Sequence, residues 1–287
     1  MNHMPQPAAE KPVDNSPAFG THRLGRWRSR LLRTAQGQPA SWLGRRFALV
    51  LRKLTLKGGP EVIDAEVEGL RYRLHMRDNV SERKHLFMPQ FFDAYERQLL
   101  RDALRPGDVF VDIGANAGIY SLTAAAAVGP RGRVLSVEPN PRMVERLTLN
   151  LSLNGFQDRA ILEQAAVSDT PGEFELILDD SNLGGASLVN RRSGHSIRVR
   201  CERLEELLAR HGIERIRALK IDIEGAEDRA LAPFFASAPP SLHPDILIIE
   251  NSRQDWQQDL PAIFAASGYM LLRETRMNLV YRKQAGS

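Results

Sequence analysis

The sequence predicts an α/β fold, a three-layer sandwich with helices on both faces of a mostly parallel sheet. From residue 109 onward, short apolar segments alternate with segments of helical length. Apolar segments of this kind are typical of parallel strands that are buried on both faces. Two final strand-like segments, 269–275 and 279–282, are expected to pair antiparallel. Strands that alternate with helices in this way specify a layered α/β domain.

The composition is that of a globular protein. Of 287 residues, 43% are hydrophobic and 26% are charged, which allows a sizeable core and excludes collagen-like repeats, a disulfide scaffold and disorder throughout. Cys201 is the only cysteine, so the chain forms no intrachain disulfide and suits a reducing compartment. No apolar run approaches the ~18–20 residues that span a bilayer. The first 20 residues lack the apolar core of a secretory signal, so we expect a cytoplasmic protein.

Charge is distributed unevenly along the chain. The 39 Lys and Arg residues against 35 Asp and Glu residues give a net charge of +4. Residues 1–60 hold 11 of the basic residues and only Glu10 and Asp14 as acids, a balance of +9 that leaves −5 for the remainder. The sequence therefore divides into a basic arm and a mildly acidic body.

The basic arm is predicted to contain a tail and a helix. Residues 1–40 have the composition of a disordered basic tail, and residues 41–90 of an extension with one amphipathic helix and a small hairpin. Over 41–57, apolar residues recur at helical spacing between cations: Trp42, Phe47, Val50, Leu51 and Leu54 with Arg45, Arg46, Arg52, Lys53 and Lys57. Two interpretations stay open. The helix docks on the body with a solvated basic face, or it touches an anionic membrane surface or a polyanion.

The remaining elements follow in order. A hairpin is predicted over 61–76, with its turn at Gly69. The predicted helices are then 91–104, 117–128, 141–154, 202–211, 226–234 and 254–267. The predicted strands are 109–113, 133–137, 161–167, 174–178, 197–201, 218–223 and 246–250, with a long loop over 179–194. Ligands of such sheets bind at the carboxyl ends of the strands, where the strand order switches.

The first strand ends in a glycine motif, Asp112-Ile-Gly-Ala-Asn-Ala-Gly118, that leads directly into a helix. Glu138 lies at the tip of the next strand, where an acid can accept both hydroxyls of a ribose. The motif lacks the G-x-G-x-x-G pattern that binds a pyrophosphate. Its acid and its Asn suit the ammonium and carboxylate of an amino acid, which favours S-adenosylmethionine over NAD. The alternative is a tight strand–helix turn without a ligand.

A second motif, Lys220-Ile-Asp-Ile-Glu-Gly225, ends a later strand. In an extended segment Lys220, Asp222 and Glu224 would point to one side, and three ionisable groups on a central strand are costly unless they are used or paired. For Glu224 a position near the N-terminus of the following helix is an equal explanation. For Asp222, next to the predicted ligand, we favour a function.

These motifs together resemble the FkbM family of methyltransferases. The resemblance covers about residues 92–251. It adds two motifs, Val137-Glu-Pro-Asn140 and Ala166-Val-Ser-Asp169, and extends the second motif to Lys220-Ile-Asp-Ile-Glu-Gly-Ala-Glu227. It implies that residues 91–287 form a class I (Rossmann-like) S-adenosylmethionine-dependent domain. Its seven-stranded sheet would end in an antiparallel hairpin, and its usual chemistry is O-methyl transfer to sugars, glycans or secondary-metabolite alcohols.

The resemblance also implies which residues bind the cofactor. Asp112, Gly114, Asn116 and Gly118 would line its methionine end, and Asp222 would stand beside the sulfonium.

At the other end, Glu138 would bind the ribose, and Asn140 with the segment from Ala166 to Asp169 would lie near the adenine. Glu96 would close the pocket from the N-terminal side.

A hydroxyl of high pKa must lose its proton during methyl transfer, which requires a general base or a metal. We expect Asp222 to be this base, or to hold a divalent cation, with Glu224 assisting. Glu250 and Asn251 can complete a polar cup for the acceptor, and the loop 182–187 is predicted to be a lid or an acceptor-binding element.

Three other functions remain open. The sequence pI of 9.4 and the basic arm suggest a nucleic-acid methyltransferase, but no N/D-P-P-Y/F motif follows the strand that ends at Asp222. An NAD-dependent oxidoreductase would share the fold, but the missing G-x-G-x-x-G pattern argues against it. A non-catalytic binding module would be unable to bind the cofactor, and the intact glycine turn argues against that. We therefore expect a small-molecule or glycan acceptor, no nucleic acid, and membrane contact only through the basic arm.

Overall fold

A computed structural model describes residues 17–178 and 195–284. The N-terminal elements are α1 (Arg26–Gln36), α2 (Trp42–Leu56), β1 (Val62–Val67), β2 (Leu70–His75) and α3 (Val80–Phe87). The later helices are α4 (Ala94–Ala103), α5 (Ile119–Val128), α6 (Pro141–Leu153), α7 (Leu204–Arg210), α8 (Glu227–Ser237) and α9 (Leu260–Ala266). The later strands are β3 (Val109–Ile113), β4 (Arg133–Val137), β5 (Ala160–Glu163), β6 (Ala166–Val167), β7 (Gly172–Leu178), β8 (His195–Glu202), β9 (Ala218–Ile221), β10 (Ile246–Glu250), β11 (Tyr269–Glu274) and β12 (Asn278–Lys283).

The main sheet has seven strands in the order β11-β12-β10-β9-β3-β4-β5. The pairs from β10 to β5 are parallel, whereas β12 pairs antiparallel with both β10 and β11. This arrangement confirms the predicted seven-stranded, mostly parallel sheet with an antiparallel hairpin at its end. The chain runs outward from β3 to β5 on one side and continues from β9 on the other, so the order switches between β3 and β9.

Helices cover both faces of this sheet, which confirms the three-layer architecture. Alternate strand residues face opposite layers: Val111 and Ile249 pack with α7, α8 and α9, whereas Phe110 and Ile248 pack with α4 and α5. The alanine-rich α5 is buried almost throughout because it also touches a third core. That core joins α1, α2 and the β1–β2 hairpin to α6, so the N-terminal extension packs directly on the sheet domain.

The predicted disorder of residues 1–40 is wrong for the segment that forms α1. Arg, Leu, Ala and Gln are good helix formers, and Leu32 and Ala35 are buried in the core that α1 shares with α2. Residues 1–16 lie outside the described part of the chain. The hairpin predicted over 61–76 is confirmed as β1 and β2. In the described residues no helix is both long enough and apolar enough to cross a membrane.

Several predicted boundaries change because the chain turns locally. The strand predicted over 161–167 splits, since β5 stays in the main sheet while β6 joins β8 and β7 in a separate three-stranded sheet. The helix predicted from 91 begins at Ala94, after a 3₁₀ turn and a left-handed Asp93 (φ 45°). The helix predicted from 254 begins at Leu260, where the Asp259 side chain caps it. The predicted lid over 182–187 lies outside the described residues.

Candidate functional site

Two adjacent cavities lie at the carboxyl ends of the central strands. The first cavity has a volume of about 250 Å³ and extends past the end of β4, and the second has about 310 Å³ and extends toward α4 and the β11–β12 turn. Their shared wall consists of Ser81, Lys84, Gly114, Asn116, Asp222, Glu250 and Met277. This is the position at which the strand order switches, where open parallel sheets bind ligands.

The glycine turn after β3 touches the segment after β9. Gly114 has a φ of 72°, and a Cβ added there would overlap the carbonyl oxygen of Asp222. Both the backbone conformation and the space therefore require glycine at this position. Gly118 has a φ of 93°, caps α5 and packs so closely on Leu147 that a Cβ would overlap this side chain. The two sequence motifs thus form one continuous wall.

Glu138 connects the end of β4 to the glycine turn. The backbone N–H of Asn116 donates to its Oε2 at 2.8 Å, and the N–H of Asn140 donates to its Oε1 at 2.9 Å. Burial raises the pKa of Glu138 to about 7, although both N–H groups favour the charged form. A carboxylate has about four lone-pair sites, so Glu138 can still accept hydrogen bonds from a ligand in the first cavity.

Lys220 lies at the centre of a buried ion cluster. Its Nζ donates to the carbonyl oxygen of Gly114 at 2.8 Å and lies 3.7 Å from Asp112 Oδ1 and 3.5 Å from Asp222 Oδ2. Burial opposes the ammonium, but the carboxylates of Asp222 and Asp112 raise the pKa of Lys220. Asp112 also accepts a hydrogen bond from Ser121 Oγ at 2.6 Å, while burial raises the pKa of Asp112. The ionisable groups of this strand are therefore paired.

The expectation that Lys220, Asp222 and Glu224 point to one side is wrong for Glu224. β9 ends at Ile221, and Glu224 adopts a left-handed backbone conformation with a φ of 57°. The alternation of side-chain direction along a strand therefore no longer applies at Glu224. Glu224 lines the first cavity, whereas Asp222 lines both cavities.

Three carboxyl groups line the second cavity in different electrostatic environments. Asp222 is 44% exposed and faces Lys220. Burial and the nearby charge of Asp222 raise the pKa of Glu250 to about 9. Burial, followed by the charges of Glu96 and Asp222, raises the pKa of Asp93 to about 6. Neighbouring acids whose pKa values are pushed apart allow one group to hold a proton while another accepts one.

The predicted site residues fall into two groups. The residues that line a cavity are Gly114, Asn116, Glu138, Ala166, Asp222 and Glu224. Those that lie outside the described cavity walls are Asp112, Gly118, Asn140, Asp169 and Glu96. The roles of both groups in binding and catalysis remain predictions.

The five residues outside the walls have identifiable structural surroundings. Asp112 lies beneath Lys220, and Gly118 caps α5. Asn140 caps α6, its side chain accepting a hydrogen bond from the N–H of Arg142. Asp169 is exposed, and Glu96 lies behind the wall, where it accepts a hydrogen bond from Asn278 at 3.3 Å.

Sequence reasoning missed the contribution of α3 to both cavities. This helix supplies Ser81 and Lys84 to the shared wall. Its cap, Asn79, accepts a hydrogen bond from the N–H of Glu82 and donates one to Asn116 Oδ1 at 2.6 Å. The spacing of Asn79 and Glu82 is that of a capping box, a signal that predicts a helix start. Asp93 carried no such signal because its position depends on the turn before α4.

In residues 17–178 and 195–284, no group of three or more His, Cys, Asp or Glu side chains is arranged to hold a metal ion. Glu250 lines the shared wall beside Asp222, whereas Asn251 lines neither cavity and donates a hydrogen bond to the carbonyl oxygen of Thr275 at 2.9 Å. The polar cup stays a prediction. That Asp222 holds a divalent cation remains a prediction.

One family profile matches this chain. The sequence profile of the methyltransferase FkbM domain matches residues 112–283, more than half of the chain. The chain is 28% identical to the AMB antimetabolite synthetase AmbE of Pseudomonas aeruginosa. The match covers 61% of this chain but only 10% of AmbE. It is 29% identical to the methyltransferase SdnD of Sordaria araneosa, covering 41% of this chain and 56% of SdnD.

Further relatives carry the same family name. The 31-O-demethyl-FK506 methyltransferase FkbM of Streptomyces tacrolimicus is 29% identical over 54% of this chain and 69% of its own. The solved structure of a methyltransferase FkbM from Methylobacillus flagellatus KT superimposes with a TM-score of 0.43 and 15% identity, over 72% of this chain and 56% of the other. On the profile match, this chain belongs to the FkbM family of methyltransferases.

Proposed function

We propose that the protein is an S-adenosylmethionine-dependent O-methyltransferase that acts on a hydroxyl of a sugar, a glycan or a secondary metabolite. The observation that carries this proposal is the pair of adjacent cavities with a shared wall. A methyl transferase needs a cofactor site and an acceptor site that meet where the methyl group moves. Asp222 lies in the shared wall, at the position this chemistry requires.

The first cavity suits the nucleoside part of the cofactor. Glu138 offers a carboxylate at one end, which fits a ribose. The apolar part of the wall, which fits an adenine ring, consists of Val137, Pro139, Ala165, Ala166, Val167 and Leu176. The methionine part of the cofactor would then lie against the polar turn around Asn116, which belongs to the shared wall. When bound, S-adenosylmethionine supplies an electrophilic methyl group to an attacking oxygen.

The second cavity suits an acceptor with apolar and anionic parts. Phe91, Phe92 and Met88 supply apolar surface. Arg45, Lys84 and Arg276 also line the second cavity, and none of these three cations forms an ion pair within the described residues. Cations of this kind favour an acceptor that carries a phosphate or a carboxylate.

Asp222 is the proposed general base. Its carboxylate is 44% exposed, lines the second cavity and lies 3.5 Å from Lys220 Nζ. It can therefore take the proton of the acceptor hydroxyl as the oxygen attacks. Asp93 is a second candidate because it lines the same cavity, and burial raises its pKa to about 6, near the value that suits a base at neutral pH. Glu224, which lines only the first cavity, would assist from a greater distance.

Two experiments test this function. Isothermal titration with S-adenosylmethionine and with NAD separates methyl transfer from hydride transfer, and we expect binding of S-adenosylmethionine alone. Incubation with labelled S-adenosylmethionine and cell extract, fractionated into lipid, polysaccharide and nucleic-acid pools, then identifies the acceptor class. Label in the lipid or polysaccharide pool, or in small alcohols, supports the proposal. Label confined to nucleic acid would overturn it. Activity that disappears with a chelator and returns with added metal would support the cation prediction for Asp222.

A further inference from the structure

The exposed large apolar side chains of the described chain are concentrated on two helices. Ten such residues are exposed, and six of them lie on α1 and α2: Trp27, Trp42, Leu43, Phe47, Val50 and Leu54. Trp42 and Leu43 are 68% and 70% exposed. Single exposed apolar residues are ordinary, but a contiguous group marks an interaction surface.

α2 carries two apolar faces, and only one of them is used in the fold. The buried face consists of Gly44, Ala48, Leu51 and Thr55. The second face consists of Leu43, Phe47, Val50 and Leu54, which repeat at the same spacing of four, three and four residues and therefore share one side of the helix. We refer to these four residues as the exposed stripe. Nothing in the fold accounts for its composition.

The exposed stripe lies in a segment that carries only positive charge. Residues 17–60 contain ten Lys and Arg residues and no Asp or Glu. In the described part of the chain, no ion pair involves any of these ten cations. Arg28 and Arg46 instead lie over the rings of Trp27 and Trp42, each at 4.8 Å. The surface therefore combines an apolar stripe, two indoles and uncompensated cations.

We propose that the α1–α2 surface binds an anionic phospholipid bilayer, with α2 lying in the plane of the interface. Amphipathic helices of this type bury their apolar face at the level of the acyl chains and place cations among the anionic headgroups. Exposed tryptophans suit the same interface because their rings are apolar and their N–H groups are polar. Only the side chains of this surface would enter the bilayer, and no helix would cross it.

Charge argues against the other occupants of this surface. A second copy of the chain would bring ten cations against ten cations without any acid between them. A nucleic acid would neutralise the cations but would leave the four residues of the exposed stripe without an apolar partner. An anionic bilayer satisfies both the charge and the apolar stripe.

The surface is next to the proposed acceptor site. Arg45, on the first turn of α2, lines the second cavity. Resting on the proposed function, this position gives the bound enzyme access to acceptors held at the membrane, such as lipid-linked glycans. The lipid-binding step itself does not depend on catalysis, so it can be tested separately.

The test uses the full chain and two kinds of vesicle. We expect co-sedimentation with vesicles that contain phosphatidylglycerol, much weaker binding to vesicles of phosphatidylcholine alone, and a decrease with added salt. The combined substitution F47S, V50S and L54S is expected to weaken binding by at least ~10-fold, because it removes most of the inserted apolar surface. The matched control is M270S, which changes a side chain on β11 that is 50% exposed.

Further variants and a spectroscopic measurement distinguish the outcomes. The substitutions R46E and K53E are expected to reduce binding to the anionic vesicles. Tryptophan emission should shift to the blue on binding, because Trp27 and Trp42 are both exposed on this surface. The shift should be smaller in W42F and smaller still when W27F is added. Circular dichroism checks that each variant folds. Absence of binding to the anionic vesicles would overturn the proposal. So would equal binding by the stripe variant and the wild type, or tight binding to RNA that the stripe variant leaves unchanged while vesicle binding is absent.

Discussion

Two ion clusters in this protein have the same number of charged groups and different surroundings. In one, which we call the closed cluster, Arg146 of α6 pairs with Asp78 at 2.6 Å and with Glu82 at 2.7 Å. In the other, the open cluster, Lys220 of β9 lies between Asp112 and Asp222 at 3.7 Å and 3.5 Å. Each has one cation and two carboxylates.

The clusters differ in what their acids face. Arg146 and Glu82 are almost fully buried, and the closed cluster joins α3 to α6 without lining either cavity. In the open cluster Asp112 is fully buried, but Asp222 is 44% exposed and lines both cavities. The same number of charges is therefore enclosed in one place and presents an exposed carboxylate to the cavities in the other. Distance and exposure, more than residue type, distinguish the two clusters.

The largest effect is expected at the exposed acid of the open cluster. Asp222→Asn removes the proposed base and should lower turnover at saturating cofactor by roughly 10²–10⁴-fold. It should change the unfolding temperature little, because the side chain is half exposed. The matched control is Asp158→Asn, an exposed carboxylate outside the described cavity walls. Near-wild-type turnover of the Asp222 variant would transfer the role of base to Asp93.

A substitution in the closed cluster should lower the free energy of unfolding. Arg146→Met leaves the buried Glu82 and the partly exposed Asp78 without their cation, and removing one partner of a buried ion pair costs about 3–5 kcal/mol. Urea unfolding measures this loss. Arg77→Met, which breaks an exposed ion pair with Glu61, should change the free energy of unfolding by only ~0–1 kcal/mol. If both variants were equally stable, the closed cluster would have no special structural role.

Cofactor affinity should depend on the acid at the end of β4. Glu138→Gln replaces one acceptor oxygen by an amide that faces a backbone N–H, and it removes the negative charge. We expect binding of S-adenosylmethionine to weaken by roughly 10- to 100-fold, the usual value of a hydrogen bond to a charged group. Titration calorimetry measures this affinity, with Glu145→Gln, an exposed glutamate outside the described cavity walls, as the matched control. Unchanged affinity would remove Glu138 from the cofactor site.

A pH dependence of the free energy of unfolding is expected next to the open cluster. The pKa of Glu250 is raised from 4.5 to about 9 in the folded protein, by burial first and then by the charge of Asp222. Between these two values the folded state holds a proton that the unfolded state has lost, so stability falls as the pH rises. Glu250→Gln should flatten this slope in urea unfolding measured across the same range. An identical slope in both proteins would contradict the raised pKa.

Much of the fold and part of the site follow from local sequence patterns. The alternation of apolar segments and helices predicted the sheet, and the carboxyl ends of its strands predicted the location of the cavities. The strand ends predicted from the sequence place Gly114, Asn116, Glu138 and Asp222 at this edge, and all four line a cavity. These features depend on periodicity and on backbone preferences over a few residues.

The sequence by itself therefore determined the layers, the order of the motifs and the glycine turn, because each arises from neighbours along the chain. Only the tertiary structure decided that α1 is ordered, that α3 completes the cavity wall, that Asp93 enters the second cavity, and that Glu224 leaves the side occupied by Lys220. These outcomes depend on contacts between residues far apart in sequence. Burial and pairing across such distances set both the pKa of an acid and the choice between a structural and a reactive role.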